Sequence, residues 1–79
     1  MTSNDEQLTP MKLRERAGLT QRQIAESLGK TVGTVSGWER FTKKPRLSFS
    51  ETKSLMELLN CTLDELIEAF EGGHEQTSN

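Results

Sequence analysis

Few residues in this sequence could carry covalent or metal chemistry. The single cysteine, Cys61, excludes an intramolecular disulfide and any multi-cysteine metal framework, and with Leu59 and Leu63 beside it, it reads as a small buried hydrophobe. The single histidine, His74, stands in a Gly-Gly-His-Glu-Gln-Thr-Ser-Asn stretch with no second histidine nearby, and reads as a solvated tail residue. There is no tyrosine, no nucleophile paired with a base, and no phosphate-cradling glycine loop after a strand. An enzyme, a cofactor and a metal site are therefore not expected. Gly29, Gly33 and Gly37 recur every four residues, but the segment they occupy is too polar and short for a membrane helix-pairing seam.

What the spacing does offer is charge. The 79 residues hold ten Lys and Arg against twelve Asp and Glu, a formal net charge of −2 that speaks against a polyanionic partner. Resolved along the chain, the balance reverses. All ten basic residues fall between Lys12 and Lys53 with only four acids among them (Glu15, Glu26, Glu39, Glu51), so that stretch carries +6 and the other eight acids lie outside it. Such asymmetry points to a polyanion-binding face, with charge scattered over solvated helix surfaces as the alternative.

The elements that must position these charges are short helices marked by their caps. Thr9-Pro10 reads as an N-cap with proline at the first helical position, and Leu8 with Leu13 as a hydrophobic staple; this helix runs to about Ala17, before Gly18. Thr20 with Gln23 forms a capping box for a second helix, Gln21 to Leu28, ended by Gly29. Thr31 caps a third, Val32 to about Arg40, whose periodicity turns Val32, Val35, Trp38 and Glu39 inward and Gly33, Gly37 and Arg40 outward. A basic connection, Phe41 to Arg46, leads to a fourth helix, Phe49 to Asn60, boxed by Ser48 and Glu51, with Thr52, Leu55, Met56 and Leu59 as its stripe. Thr62 with Glu65 opens a fifth, whose Leu63, Leu66, Ile67 and Phe70 form one apolar stripe and which Gly72-Gly73 terminates. No segment alternates like a strand. The expected architecture is all-α and compact, with five helices over residues 8–71, a flexible N-terminal segment at 1–7 and a flexible acidic tail at 72–79. With no apolar run near the roughly 20 residues of a membrane span and no signal-peptide order at the N-terminus, a cytoplasmic protein is expected.

The second helix, the break Gly29-Lys30-Thr31 and the third helix have the form of a DNA-reading helix-turn-helix, a geometry that many all-α proteins also contain. From about Leu13 to Phe70 the chain resembles the lambda-repressor and Cro-type (Xre-like) helix-turn-helix domains. The resemblance rests on Leu13-Arg14-Glu15-Arg16-Ala17-Gly18-Leu19-Thr20-Gln21, on Ile24-Ala25-Glu26-Ser27-Leu28-Gly29, on Thr34-Val35-Ser36-Gly37-Trp38-Glu39-Arg40 with Pro45 beyond, and on Leu63-Asp64-Glu65-Leu66. It implies a five-helix lambda-repressor-like fold and sequence-specific binding of double-stranded DNA by a small transcriptional regulator, a repressor or autoregulator. One short recognition helix offers few contacts, so a homodimer is expected, and with no sensor domain expected a small-molecule effector has no evident place.

By the same resemblance, Gln21 contacts a phosphate and braces the recognition helix, with Arg22 beside it. Thr31, Val32, Gly33, Ser36 and Gly37 face bases or the adjoining backbone. Arg40, Lys43, Lys44 and Arg46 meet phosphates, and Arg14 pairs with Glu39 inside the fold. Two features depart from the family pattern. Phe41 stands where the family has a glycine of positive φ, so a helix that runs on or a loop that takes another course is expected there. Gly33 and Gly37 leave the outward face without bidentate base readers. The expectation is that the bare backbone approaches the groove floor with Thr31 or Val32 on thymine methyls, and that Gly37→Leu abolishes specific binding while leaving the melt intact. Weak selectivity, with affinity from phosphates and DNA shape, is the other reading of those glycines. A protein-interaction module that keeps the fold but has lost base readout is the alternative for the whole chain.

Overall fold

The computed structural model describes residues 7–72, so the expectations for segment 1–7, apart from its last residue, and for the tail beyond Gly72, including His74, lie outside the described residues. Five helices follow one another: α1 (Pro10–Arg16), α2 (Gln21–Leu28), α3 (Val32–Glu39), α4 (Phe49–Leu59) and α5 (Leu63–Glu71). Each begins at a hydroxyl that accepts an otherwise orphaned amide of the first turn. Thr9 takes the Lys12 N–H at 3.1 Å, Thr31 that of Thr34 at 3.1 Å, and Thr20, Ser48 and Thr62 each complete a reciprocal box with Gln23, Glu51 and Glu65. Gly18 and Gly29 turn the chain after α1 and α2 with φ of 74° and 69°, and Asn60 does the same after α4 at 53°.

The core is built from Leu13 of α1, Ile24, Ala25 and Leu28 of α2, Val35 and Trp38 of α3, Leu55 and Leu59 of α4, and Leu66 and Ala69 of α5. Trp38 meets the Phe70 ring edge-to-face, centroids 6.1 Å apart. Cys61 is half-buried against this core, its thiol pushed above its usual range chiefly by burial. The helix–break–helix pair α2 and α3 is braced by α1 and α4.

Three expectations are corrected. Val32 does not pack inward, being 38% exposed at the first turn of α3. Gly37 is not on the outward face. It is buried, since the chain after α3 folds back over it. On α5 the buried residues are Leu66 and Ala69, with Phe70 half-buried, whereas Leu63 and Ile67 are 50% and 46% exposed, so half of the expected stripe lies outside the core.

The course of the chain at Phe41 also differs from expectation. The helix neither runs on nor finds another path: α3 stops at Glu39, Arg40 caps it, and Phe41 takes the left-handed conformation, φ 59°, in place of a glycine. The Thr42 N–H then reaches the Gly37 carbonyl at 2.9 Å and the Phe41 N–H that of Trp38 at 3.2 Å, so the hydrogen bonds closing the turn hold a residue whose Cβ opposes it.

Candidate nucleic-acid interface

The exposed end of α3 is its first turn. Thr31, Val32 and Gly33 are all exposed, with Ser36 half-buried one turn on and Arg40 exposed at the far cap. A methyl group added at Gly33 would meet nothing nearer than the Thr31 hydroxyl at 3.8 Å. The side is open, and the helix backbone there can approach a flat or concave partner closely. The Thr31 hydroxyl is occupied in capping the helix and in a 3.0 Å contact with the Thr34 hydroxyl, which leaves the methyls of Thr31 and Val32 as the chemistry this turn presents.

On one flank of α3 lies a basic cleft of about 430 Å³, lined by Lys30, Thr34, Trp38, Lys43, Lys44 and Arg46. Lys30 comes from the break between α2 and α3, Thr34 and Trp38 from one side of α3, and the other three from the connection to α4. Glu51 approaches this cluster, 3.5 Å from Lys30, and its carboxylate is held below its ordinary range first by the Ser48 backbone N–H and then by Lys30. Four cations around one concave wall suit a phosphate oxygen better than any neutral ligand.

At the other end a polar network ties Gln21, the first residue of α2, to α3. Arg14 donates from Nε to Glu39 Oε2 at 2.6 Å and from Nη2 to Oε1 at 3.2 Å, a bidentate pair, while the Gln21 amide donates to Glu39 Oε1 at 2.9 Å. The remaining Arg14 fork donates to the Leu19 carbonyl at 3.0 Å, closing the turn between α1 and α2. The Glu39 side chain is 4% exposed and that of Arg14 16%. Hydrogen bonding to Glu39 raises the Arg14 guanidinium above its already high pKa, so the guanidinium keeps its charge. Gln21 is thereby held in place beside the last turn of α3, and Arg22 next to it is exposed.

Of the residues singled out in the sequence, the structure thus gathers Lys43, Lys44 and Arg46 in the cleft, anchors Gln21 on Glu39, and leaves Thr31, Val32, Gly33, Arg22 and Arg40 open to solvent. Gly37 does not join them. A Cβ there would stand 2.7 Å from Lys43 Cδ and 3.1 Å from its Cβ, so the missing side chain makes room for the returning loop. Sequence reasoning did not select Lys30 and Thr34. The signal was present, since Lys30 fills the break itself and Thr34 is one turn from the cap Thr31.

The role of Gly37 changes the outcome expected of its replacement. Gly37→Leu should lower stability by about 1–2 kcal/mol, the overpacking cost less the helix propensity regained, and the denaturant midpoint should fall accordingly. A midpoint equal to that of the parent would show that Lys43 yields without cost.

Among the described residues, no group of three or more His, Cys, Asp or Glu could hold a metal ion, and no helix is long and apolar enough to cross a membrane. A family model described as helix-turn-helix matches residues 11–66, well over half of the chain. No curated protein and no solved structure gives a match.

Proposed function

Because the chain belongs to the helix-turn-helix family of the lambda-repressor and Cro type, a family of DNA-binding regulators, we propose that it is a small cytoplasmic transcriptional regulator that binds a specific duplex and represses by occupying it. The observation that carries this reading is the open first turn of α3 beside a cleft of four cations. In the proposed complex α3 enters the major groove. The Thr31 and Val32 methyls meet thymine methyls there, Gly33 lets the backbone close on the groove floor, and Ser36 and Arg40 reach its edges. Gln21 and Arg22 meet phosphates on one side, and Lys30, Lys43, Lys44 and Arg46 on the other. The DNA-binding unit spans residues 8–71. One turn of helix offers few base contacts, so two copies act together on half-sites about one helical turn, roughly 34 Å, apart. No small-molecule effector and no catalytic step enter the scheme.

Titrating the protein against duplex at several salt concentrations tests it. Binding should weaken steeply with salt, and Lys30→Ala and Arg46→Ala should each flatten the slope of log K against log salt by about 1 while weakening all duplexes alike. Failure to bind any duplex at low salt would favour a protein-interaction module, a reading supported by the exposed Phe41, Leu63 and Ile67.

A further inference from the structure

The cleft that Lys30, Lys43, Lys44 and Arg46 line has an acid at its edge. Among the described residues, Lys30 is the only one of these four cations in an ion pair, its ammonium standing 3.5 Å from Glu51 Oε2. The two side chains are 27% and 35% exposed, so a ligand can reach both. Glu51 is the third residue of α4, and its position does not depend on Lys30. Its other oxygen, Oε1, accepts the Ser48 N–H at 2.9 Å, and its own N–H donates to Ser48 Oγ at 3.0 Å, the two halves of the capping box. The Ser48 N–H, and after it Lys30, hold the carboxyl below its ordinary range, so it is charged at neutral pH. A carboxylate fixed in this way does not follow Lys30 toward another anion without breaking the box. The other three acids of the basic stretch stand apart from the cleft. Glu39 is taken up by Arg14 and Gln21, and Glu15 and Glu26 are exposed on α1 and α2.

We propose that Glu51 is a built-in competitor for the phosphate that the cleft takes from a duplex: it holds Lys30 in the free protein, and DNA engages the fourth cation only by displacing that carboxylate. This role rests on the DNA-binding reading, whose phosphate contacts it limits. The exchange is close to balanced, since one exposed ion pair replaces another, so Lys30 adds less affinity than an unpaired lysine at that place would. Phosphate contacts carry no base sequence. The restraint therefore falls on every duplex alike and lowers the hold on unrelated DNA as well as on the target.

Glu51→Gln keeps the box, because a glutamine oxygen also accepts the Ser48 N–H, and its melt should stay within a few degrees of the parent. Titrated against duplex at low salt, the variant should bind about three- to fivefold more tightly, the range that releasing an exposed ion pair allows, with a selected and an unrelated duplex gaining alike. The gain should shrink as salt rises. In a Lys30→Ala background, Glu51→Gln should change affinity by less than about 1.5-fold, because the lysine through which the acid acts is gone. A Glu51→Gln variant that binds more weakly than the parent would overturn the proposal and make Glu51 the residue that holds Lys30 in place for the phosphate. A gain that survives Lys30→Ala would overturn it as well, leaving plain repulsion between carboxylate and DNA. No duplex binding by parent or variant at low salt removes the DNA-binding reading and this role together, whereas parent binding that Glu51→Gln leaves unchanged removes this role alone.

Discussion

Glu39→Ala should lower the melting temperature by about 10–20 °C. Removing one partner of a buried ion pair costs about 3–5 kcal/mol, because the other charge is left without compensation. Arg14 keeps 16% of its side chain exposed and can recruit water, so about 2–3 kcal/mol is the better figure here. A domain of this size loses roughly 4–8 °C per kcal/mol. The loss exceeds that of an ordinary surface pair because one carboxylate serves three groups: both Arg14 contacts and the Gln21 amide end on it. Glu39→Gln, which keeps the shape and one acceptor but turns an NH₂ toward a donor, should fall between alanine and the parent. A thermal melt of the alanine variant within about 3 °C of the parent, under 1 kcal/mol by the same conversion, would show that solvent already screens the network.

The second large effect is on binding and leaves the fold alone. Gly33→Leu puts a four-carbon side chain on the open face of α3, where the nearest neighbour of a Cβ is 3.8 Å away. Helix propensity rises by about 1 kcal/mol on losing a glycine, so the melt should hold or move upward. In the proposed complex the same side chain stands between the helix backbone and the groove floor. Affinity for a duplex selected by the parent from a random library should drop by about 100-fold or more, near 2.7 kcal/mol. Unchanged affinity would show that α3 does not approach the bases through this turn, and would return the glycines to the reading in which phosphates and DNA shape carry the affinity.

The helix starts were legible because capping is local. Thr9, Thr20, Thr31, Ser48 and Thr62 each satisfy an amide three residues on, and no tertiary contact is needed to see it. The Arg14–Glu39 pair came from the resemblance, with the inward angle of Glu39 in agreement. What stayed hidden depends on chain segments meeting. Periodicity alone puts Gly37 outward; only the return of residues 41–43, with two amides and a hydroxyl on the Gly37 carbonyl, buries it. Periodicity likewise makes Leu63 and Ile67 core residues, but α5 packs with Leu66 and the unremarkable Ala69 inward. At Phe41 residue type argued against a left-handed turn, and the hydrogen bonds onto Trp38 and Gly37 outweighed it.

The shared carboxylate of Glu39 has a consequence for how such a protein can diverge. Gln21 hangs on the same oxygen that receives Arg14, so drift at this corner, which faces a phosphate in the proposed complex, is paid for in folded population. The open turn carries no such tie, since Val32 projects outward and Gly33 has empty space beside it. If the proposed complex holds, duplicated copies acquire new target sequences by substitutions at Val32 and Gly33 alone, with the Gln21 corner inherited unchanged.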